Sequence, residues 1–281
     1  MITGSCLCGA VRWQIDGALN DMSHCHCSMC RKAHGAPFAT YASGASDEFR
    51  WTSGEEMLTH YESSPGFIRS FCRRCGSVVP DPADGGQVFV PVGNVDDDPG
   101  IRPTSHIFVE TKAPWHVIAD ALDRHDAHAN LSDGPNIERP AQERETGGVL
   151  HGSCLCGDIA YEVTEPITTV HNCHCTRCQK GRAAAHTTNG FTSADGVTFV
   201  RGEDKLVTYK LPEAKSFAQT FCSRCGSAMP RVNKEAGYAA IPFGSLDDDP
   251  GRGADDHIYT SSKAVWYDIE DDLPQYVALP D

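Results

Sequence analysis

The chain has 281 residues, enough for two domains that each bury a core, and its 40% hydrophobic and 22% charged residues are those of a folded globular protein, not a disordered one. A formal net charge of −14 repels phosphate backbones and anionic lipid, so neither nucleic acid nor a membrane is expected as a partner. The amino-terminal Met-Ile-Thr-Gly-Ser-Cys lacks the basic and apolar regions of a secretory signal, and no long apolar run follows, so the expected location is cytoplasmic.

Taken in order, the chain presents every feature twice. Gly4-Ser5-Cys6-Leu7-Cys8-Gly9 leads into the alternating residues 11–15, which predict a half-buried strand. Further strands are expected at 38–42, 57–61, 67–71, 88–92 and 106–109, separated by Gly, Pro, Asp and Ser turns, with one helical turn at 27–34. Residues 126–148 carry charged and small residues with Pro135, Pro140 and a Gly147-Gly148 pair, and read as a linker between domains at 1–125 and 149–281. The second copy opens with Gly152-Ser153-Cys154-Leu155-Cys156-Gly157 and predicts strands at 159–163, 197–200, 206–211, 217–221, 239–242 and 257–259, then a tail from Pro274. Cys6 and Cys154 are 148 apart, Cys72 and Cys222 150 apart, and Trp115 and Trp266 151 apart, a period that marks a duplicated, mainly β domain and not a solenoid.

Fourteen cysteines fall into the same three groups in each copy. A Cys-x-Cys pair (Cys6, Cys8; Cys154, Cys156) and a Cys-x-x-Cys-Gly pair (Cys72, Cys75; Cys222, Cys225) add up to a closed four-sulfur site for zinc. The remaining Cys25, Cys27 and Cys30, or Cys173, Cys175 and Cys178, make a three-sulfur site with one position open to water or substrate. Disulfides are the competing reading, disfavoured by the reducing compartment and the clip-like spacings; buried apolar thiols are another.

The motifs Gly-x-Cys-x-Cys-Gly, Cys-His-Cys-x-x-Cys-Arg-Lys and Phe-Cys-x-x-Cys-Gly-Ser, with His106-Ile107 and Lys112-Ala113-Pro114-Trp115, closely resemble the glutathione-dependent formaldehyde-activating enzymes, the GFA or CENP-V/GFA family, over residues 3–118 and 151–269. The resemblance implies two tandem zinc-binding β-tent (Mss4-like) domains, with structural zinc on the four-cysteine sets and a second zinc on each triple, up to four ions per chain. It also implies a carbon–sulfur lyase-type activity that joins glutathione and formaldehyde. The competing reading is a non-catalytic, zinc-stabilised β-tent binding module; a cleft over Cys25, Cys27 and Cys30 would separate the two.

Three thiolates leave a zinc centre with a net charge of about −1, a weak activator of water but a good host for a substrate thiol. A bound thiolate needs cations nearby. The first copy offers Arg31, Lys32, Arg69, Arg73 and Arg74, of which Arg31, Lys32 and Arg69 are the substrate-binding candidates. The aligned positions of the second copy hold Gln179, Lys180, Gln219, Ser223 and Arg224, with Arg182 in place of His34, so the first copy, through Cys25, Cys27 and Cys30, is expected to carry the activity. His26 and His174 are expected to orient the sites through hydrogen bonds. The Asp-Asp-Asp-Pro-Gly runs at 96 and 247 read as turns and not calcium loops, and Trp115 and Trp266 as core or interdomain packing. Two fused copies about a pseudo-twofold axis would replace a homodimer, giving a monomer in solution.

Overall fold

Short strands dominate the computed structural model, which describes residues 1–83, 86–128 and 148–280; residues 129–147 of the expected linker lie outside the described residues. Among the described residues there are two α-helices, α1 (Ser28–His34) and α2 (Thr176–Arg182), and none is long and apolar enough to cross a membrane. The fold is mainly β, as the turn-punctuated alternation predicts.

In each repeat, a three-stranded sheet starts the chain. Ile2–Ser5 pairs with Arg12–Ile15, which pairs with Phe49–Ser53, and alternation along Arg12–Ile15 buries Trp13 and Ile15 while Arg12 faces solvent. A larger sheet runs in the order Asp123–Arg124, Ser105–Ile107, Asn20–Cys25, Ala39–Ala45, Gln87–Pro91 and Asp81–Ala83. A third sheet carries Leu58–Ser64, Phe67–Cys72 and Val78–Val79. The second repeat copies this plan, its larger sheet running Arg231–Asn233, Tyr238–Pro242, Thr187–Ser193, Thr169–Cys173 and Asp256–Ile258.

Asn20–Cys25 is central, yet its polarity hides it from a hydrophobic pattern. It survives inside the sheet because its buried polar groups are paired: His24 Nδ1 meets Thr40 Oγ1 at 2.8 Å, and parallel pairing to Ser105–Ile107 sets His24 opposite His106. Two expectations need correction. The strands predicted at 106–109 and 257–259 stop at Ile107 and Ile258, because Phe108 and Tyr259 each turn left-handed (φ 57°) into a 3₁₀ turn. The carboxyl-terminal segment is no loose tail: His257 N donates to Pro274 O and Tyr276 N to His257 O, both at 2.8 Å, extending the second repeat's sheet as Asp123–Arg124 extends the first.

The repeats exchange core residues. Trp115 leaves the first repeat to pack among Ile159, Tyr161, Ile241 and Phe243, its ring 5.3 Å from that of Phe243. Trp266 returns the favour among Trp13, Ile15, Val88 and Val90. On the axis, Phe71 and Phe221 meet edge to face at 6.3 Å, as the expected interdomain role of the tryptophans suggests for the whole seam. Lysines latch both sides. Lys32 Nζ donates to Ser153 O (2.8 Å), Ser153 Oγ (2.7 Å) and Asp247 (2.5 Å), while Lys180 Nζ donates to Asn94 O (2.6 Å) and pairs with Asp96. The helices approach the opposite repeat so closely that a Cβ on Gly93 would lie 2.1 Å from Ala184 N, and one on Gly244 2.5 Å from Arg31 O and Ala36 N. The Asp-Asp-Asp-Pro-Gly runs thus end as turns whose first aspartates hold the latches.

Candidate metal centres

The sulfurs of Cys6, Cys8, Cys72 and Cys75 lie within 4.8 Å of one another, as do those of Cys154, Cys156, Cys222 and Cys225. Neighbouring sulfurs are 3.5 and 3.8 Å apart in the first set and 3.4 and 3.8 Å in the second. Those spacings are far longer than a disulfide and match the edge, about 3.8 Å, of a tetrahedron with metal–sulfur bonds of about 2.3 Å. All fourteen thiols are free. The sulfurs are wrapped by donors that suit thiolates: Val11 N points to Cys6 Sγ at 3.4 Å and Ile159 N to Cys154 Sγ at 3.2 Å, with Ser77 Oγ and Ser227 Oγ each 3.3 Å from Cys75 and Cys225. Both four-sulfur sets therefore fit a tetrahedral zinc.

The triples are built by one strand end and one helix start. Cys25 closes Asn20–Cys25, Cys27 caps α1 by accepting from Cys30 N at 3.3 Å, and Cys30 lies in the first turn; Cys173, Cys175 and Cys178 repeat this on α2, with a cap of 3.4 Å. The three sulfurs of each set lie within 4.8 Å of one another, and among the described residues no histidine nitrogen or carboxylate joins them. This donor set fits a soft metal with one position free.

His26 and His174 turn away from the sulfurs. His26 Nε2 meets His106 Nδ1 at 2.8 Å, and His106 Nε2 donates to Asp120 at 2.9 Å; His174, His257 and Asp271 repeat the chain at 2.8 and 3.0 Å. Each chain pins the backbone between two of the cysteines, helped by His26 N donating to Ile107 O and His174 N to Ile258 O. Burial drives His26 and His174 toward the neutral form, and likewise the buried His186 and His34, with His26 and His186 lowered to about 3 and His34 to about 4.

The structure distributes the expected cations unevenly. Arg69 is at the first triple, its Nη2 3.6 Å from Cys30 Sγ, and its guanidinium sits over the Phe67 ring. Burial opposes its charge, but Cys30, Tyr41 and Cys27 outweigh that and raise its pKa. Hydrogen bonds from Cys25 and Cys27, then the field of Arg69, hold Cys30 well below the ordinary thiol range. Arg31 is half-buried, where desolvation lowers its pKa against the fields of Cys27 and Asp247. Lys32 is spent on the interdomain latch, Arg73 points to Met57 Sδ, and Arg74 lies over Tyr209 of the other repeat.

A cleft of about 240 Å³ opens over the second triple, hidden from the sequence because several of its walls come from strands remote from the cysteines. Arg177, Arg182 and Arg231 line it beside the three cysteines. Arg177 stands in the Cys-Thr-Arg-Cys motif itself, but its first-repeat partner is Met29, and Arg231 aligns with Asp81, so neither counts when only positions cationic in the first copy are compared.

The sequence model of the family described as "Glutathione-dependent formaldehyde-activating enzyme" (GFA) matches residues 1–111 and 149–262. A protein of Halomonas elongata named "Putative glutathione-dependent formaldehyde-activating enzyme" is 34% identical over 126 residues, which cover 41% of this chain and 79% of that protein. A crystal structure of a Rhodobacter sphaeroides protein is 28% identical, covering 36% of this chain and 91% of that one, with a TM-score of 0.29.

Proposed function

Because the chain belongs to the glutathione-dependent formaldehyde-activating enzyme family, we propose that it is a zinc-dependent, carbon–sulfur lyase-type enzyme acting on the thiol adduct of a small aldehyde, with glutathione and formaldehyde as the reference pair. The observation that carries this reading is the pairing, in each repeat, of a closed four-sulfur cluster with a three-sulfur cluster. Zinc on three thiolates supplies a soft electrophilic position for one exchangeable sulfur.

The chain's own groups do the rest. The Asp120–His106–His26 and Asp271–His257–His174 chains hold the ligand-bearing backbone rigid. Arg31 and Arg69 at the first centre offset the negative charge of its thiolates, and Arg177 and Arg182 at the second offset that of its thiolates and of a substrate carboxylate. In the synthetic direction the substrate sulfur bonds to the aldehyde carbon, the carbonyl electron pair moves to oxygen, and a proton from water completes the hemithioacetal. In the lyase direction the same carbon–sulfur bond breaks. Fourteen free thiols fit a reducing, cytoplasmic setting, and the exchanged cores support a monomer whose two repeats act as a built-in dimer.

Exchange NMR with labelled formaldehyde and glutathione tests the proposal. The zinc-loaded protein should speed exchange between free and sulfur-bound formaldehyde beyond the spontaneous rate, and a Cys27→Ser, Cys175→Ser double variant should not. Equal exchange with wild type and double variant would reject the assignment.

A further inference from the structure

The two three-sulfur centres are roofed differently, and the difference lies in a few aligned positions. In the first repeat Tyr41 packs against the cysteines and Arg69 reaches Cys30 Sγ, with Tyr41 held by His34 Nε2 at 2.8 Å. In the second repeat these positions are Asn189 and Gln219. Asn189 is shorter and donates sideways to Thr187 Oγ1 at 3.0 Å, and Gln219 Nε2 is drawn to Gly181 O at 2.7 Å and Cys75 O at 3.1 Å. Where a tyrosine and an arginine stand beside one triple, an asparagine and a glutamine drawn elsewhere stand at the other, and there the 240 Å³ cleft lies.

Its wall chemistry is also specific. Phe191 and Tyr238 replace Ser43 and Gln87 of the first repeat, and with Phe217 they give aromatic sides. Arg177 is stacked over Phe217 at 5.5 Å, and Arg231 is fixed by donating to Ser216 O at 2.7 Å, which leaves further N–H groups of each guanidinium for a ligand. A groove of about 560 Å³ adjoins the cleft at Thr220 and Arg231, so a ligand anchored at the sulfurs has room to extend past Arg231.

We infer that substrate meets the three-sulfur centre of the second repeat, that Arg231 and Arg177 select a thiol bearing a carboxylate and an apolar body, and that Tyr41 and Arg69 close the first centre. This rests on the proposed thiol chemistry and reverses the expectation, drawn from aligned charges, that the first copy carries the activity. Copy one keeps its cations as fixed counterions to its own sulfurs; copy two presents them to a ligand.

The test uses the full chain with cobalt(II) in place of zinc, and 2-mercapto-3-phenylpropanoate as probe, with 2-phenylethanethiol as the analogue lacking a carboxylate. The carboxylate thiol should intensify the thiolate-to-cobalt charge-transfer absorption, in Cys27→Ser as in wild type, and should fail to do so in Cys175→Ser. Arg231→Gln should weaken the carboxylate thiol about tenfold and leave the analogue unchanged, as expected for loss of one charge-assisted contact. Tyr41→Asn with Arg69→Gln, which leaves every sulfur in place, should raise thiol bound from about one equivalent per chain to about two. A response that survives Cys175→Ser but not Cys27→Ser, or an unchanged stoichiometry in the double variant, overturns the inference while leaving the thiol chemistry standing. No response from wild type to either thiol overturns both.

Discussion

His186 sits where the first repeat has Phe38, fully enclosed, with ring centroids 4.9 Å from His174 and 5.4 Å from Tyr267. Burial lowers its pKa from 6.5 to about 3, so it folds neutral and takes up a proton only on unfolding. A group depressed in this way contributes stability that is complete above its unfolded value and is lost as pH falls toward the folded one. Between about pH 7.5 and pH 5 the unfolded imidazole gains most of a proton and the folded one almost none, which costs about 2 kcal/mol. His186→Phe keeps an aromatic ring that the pseudo-equivalent position already accommodates and removes the titration. Urea unfolding of the zinc-loaded protein at the two pH values should therefore show a smaller acid loss for the variant, by about 2 kcal/mol. Thiolate protonation acts on both proteins alike and drops out of the difference. Equal acid losses would mean that His186 is already protonated or hydrated in the folded state, and the argument from burial would fall.

Lys32→Met should cost about 3 kcal/mol in urea unfolding, because it removes three bonds from a nearly buried ammonium and leaves Asp247 without its partner; Lys180→Met, at a more open latch, should cost less. Gly244→Ala should destabilise by about 2 kcal/mol, since the new methyl meets backbone atoms of Arg31 and Ala36 that cannot swing aside, and the loss should appear in one cooperative transition covering both repeats. A chelator should strip the three-sulfur sites first, releasing thiols before any change in far-UV circular dichroism, and the four-sulfur sites only with unfolding; a single phase would contradict the division into open and closed centres.

The cysteine clusters that could hold metal were legible in the sequence because they are assembled from short local clips, and the two-plus-two and three-sulfur division follows from counting them. Arg12–Ile15 shows itself by alternation and Gln87–Pro91 by a short apolar, β-prone run. Asn20–Cys25 and Thr169–Cys173 do not, although each ends in a cluster cysteine, because beside a single core residue, Met22 or Val170, their interiors are satisfied by His–Thr and Asn–Thr hydrogen bonds. Lys32 reads as a substrate cation, while its direction, like that of Lys180, is set by the other repeat, more than 80 residues away in the chain. The cleft was equally hidden, since Arg231 and Tyr238 reach it from strands that follow the last cysteine. Alignment of the copies compares positions, but the roof over a site is decided by which side chains the distant strands deliver.

The covalent join between the repeats has a further consequence. In a dimer of identical chains every substitution is made twice, so a residue that shuts one centre shuts both. Here Arg69 and Asp81 stand against Gln219 and Arg231 at matched places, an exchange of charge that a dimer of identical chains cannot make and two fused, differing repeats can. One half is free to become scaffold, holding its partner's Trp266 and bracing α2 through Gly93, while the other is free to change what it accepts.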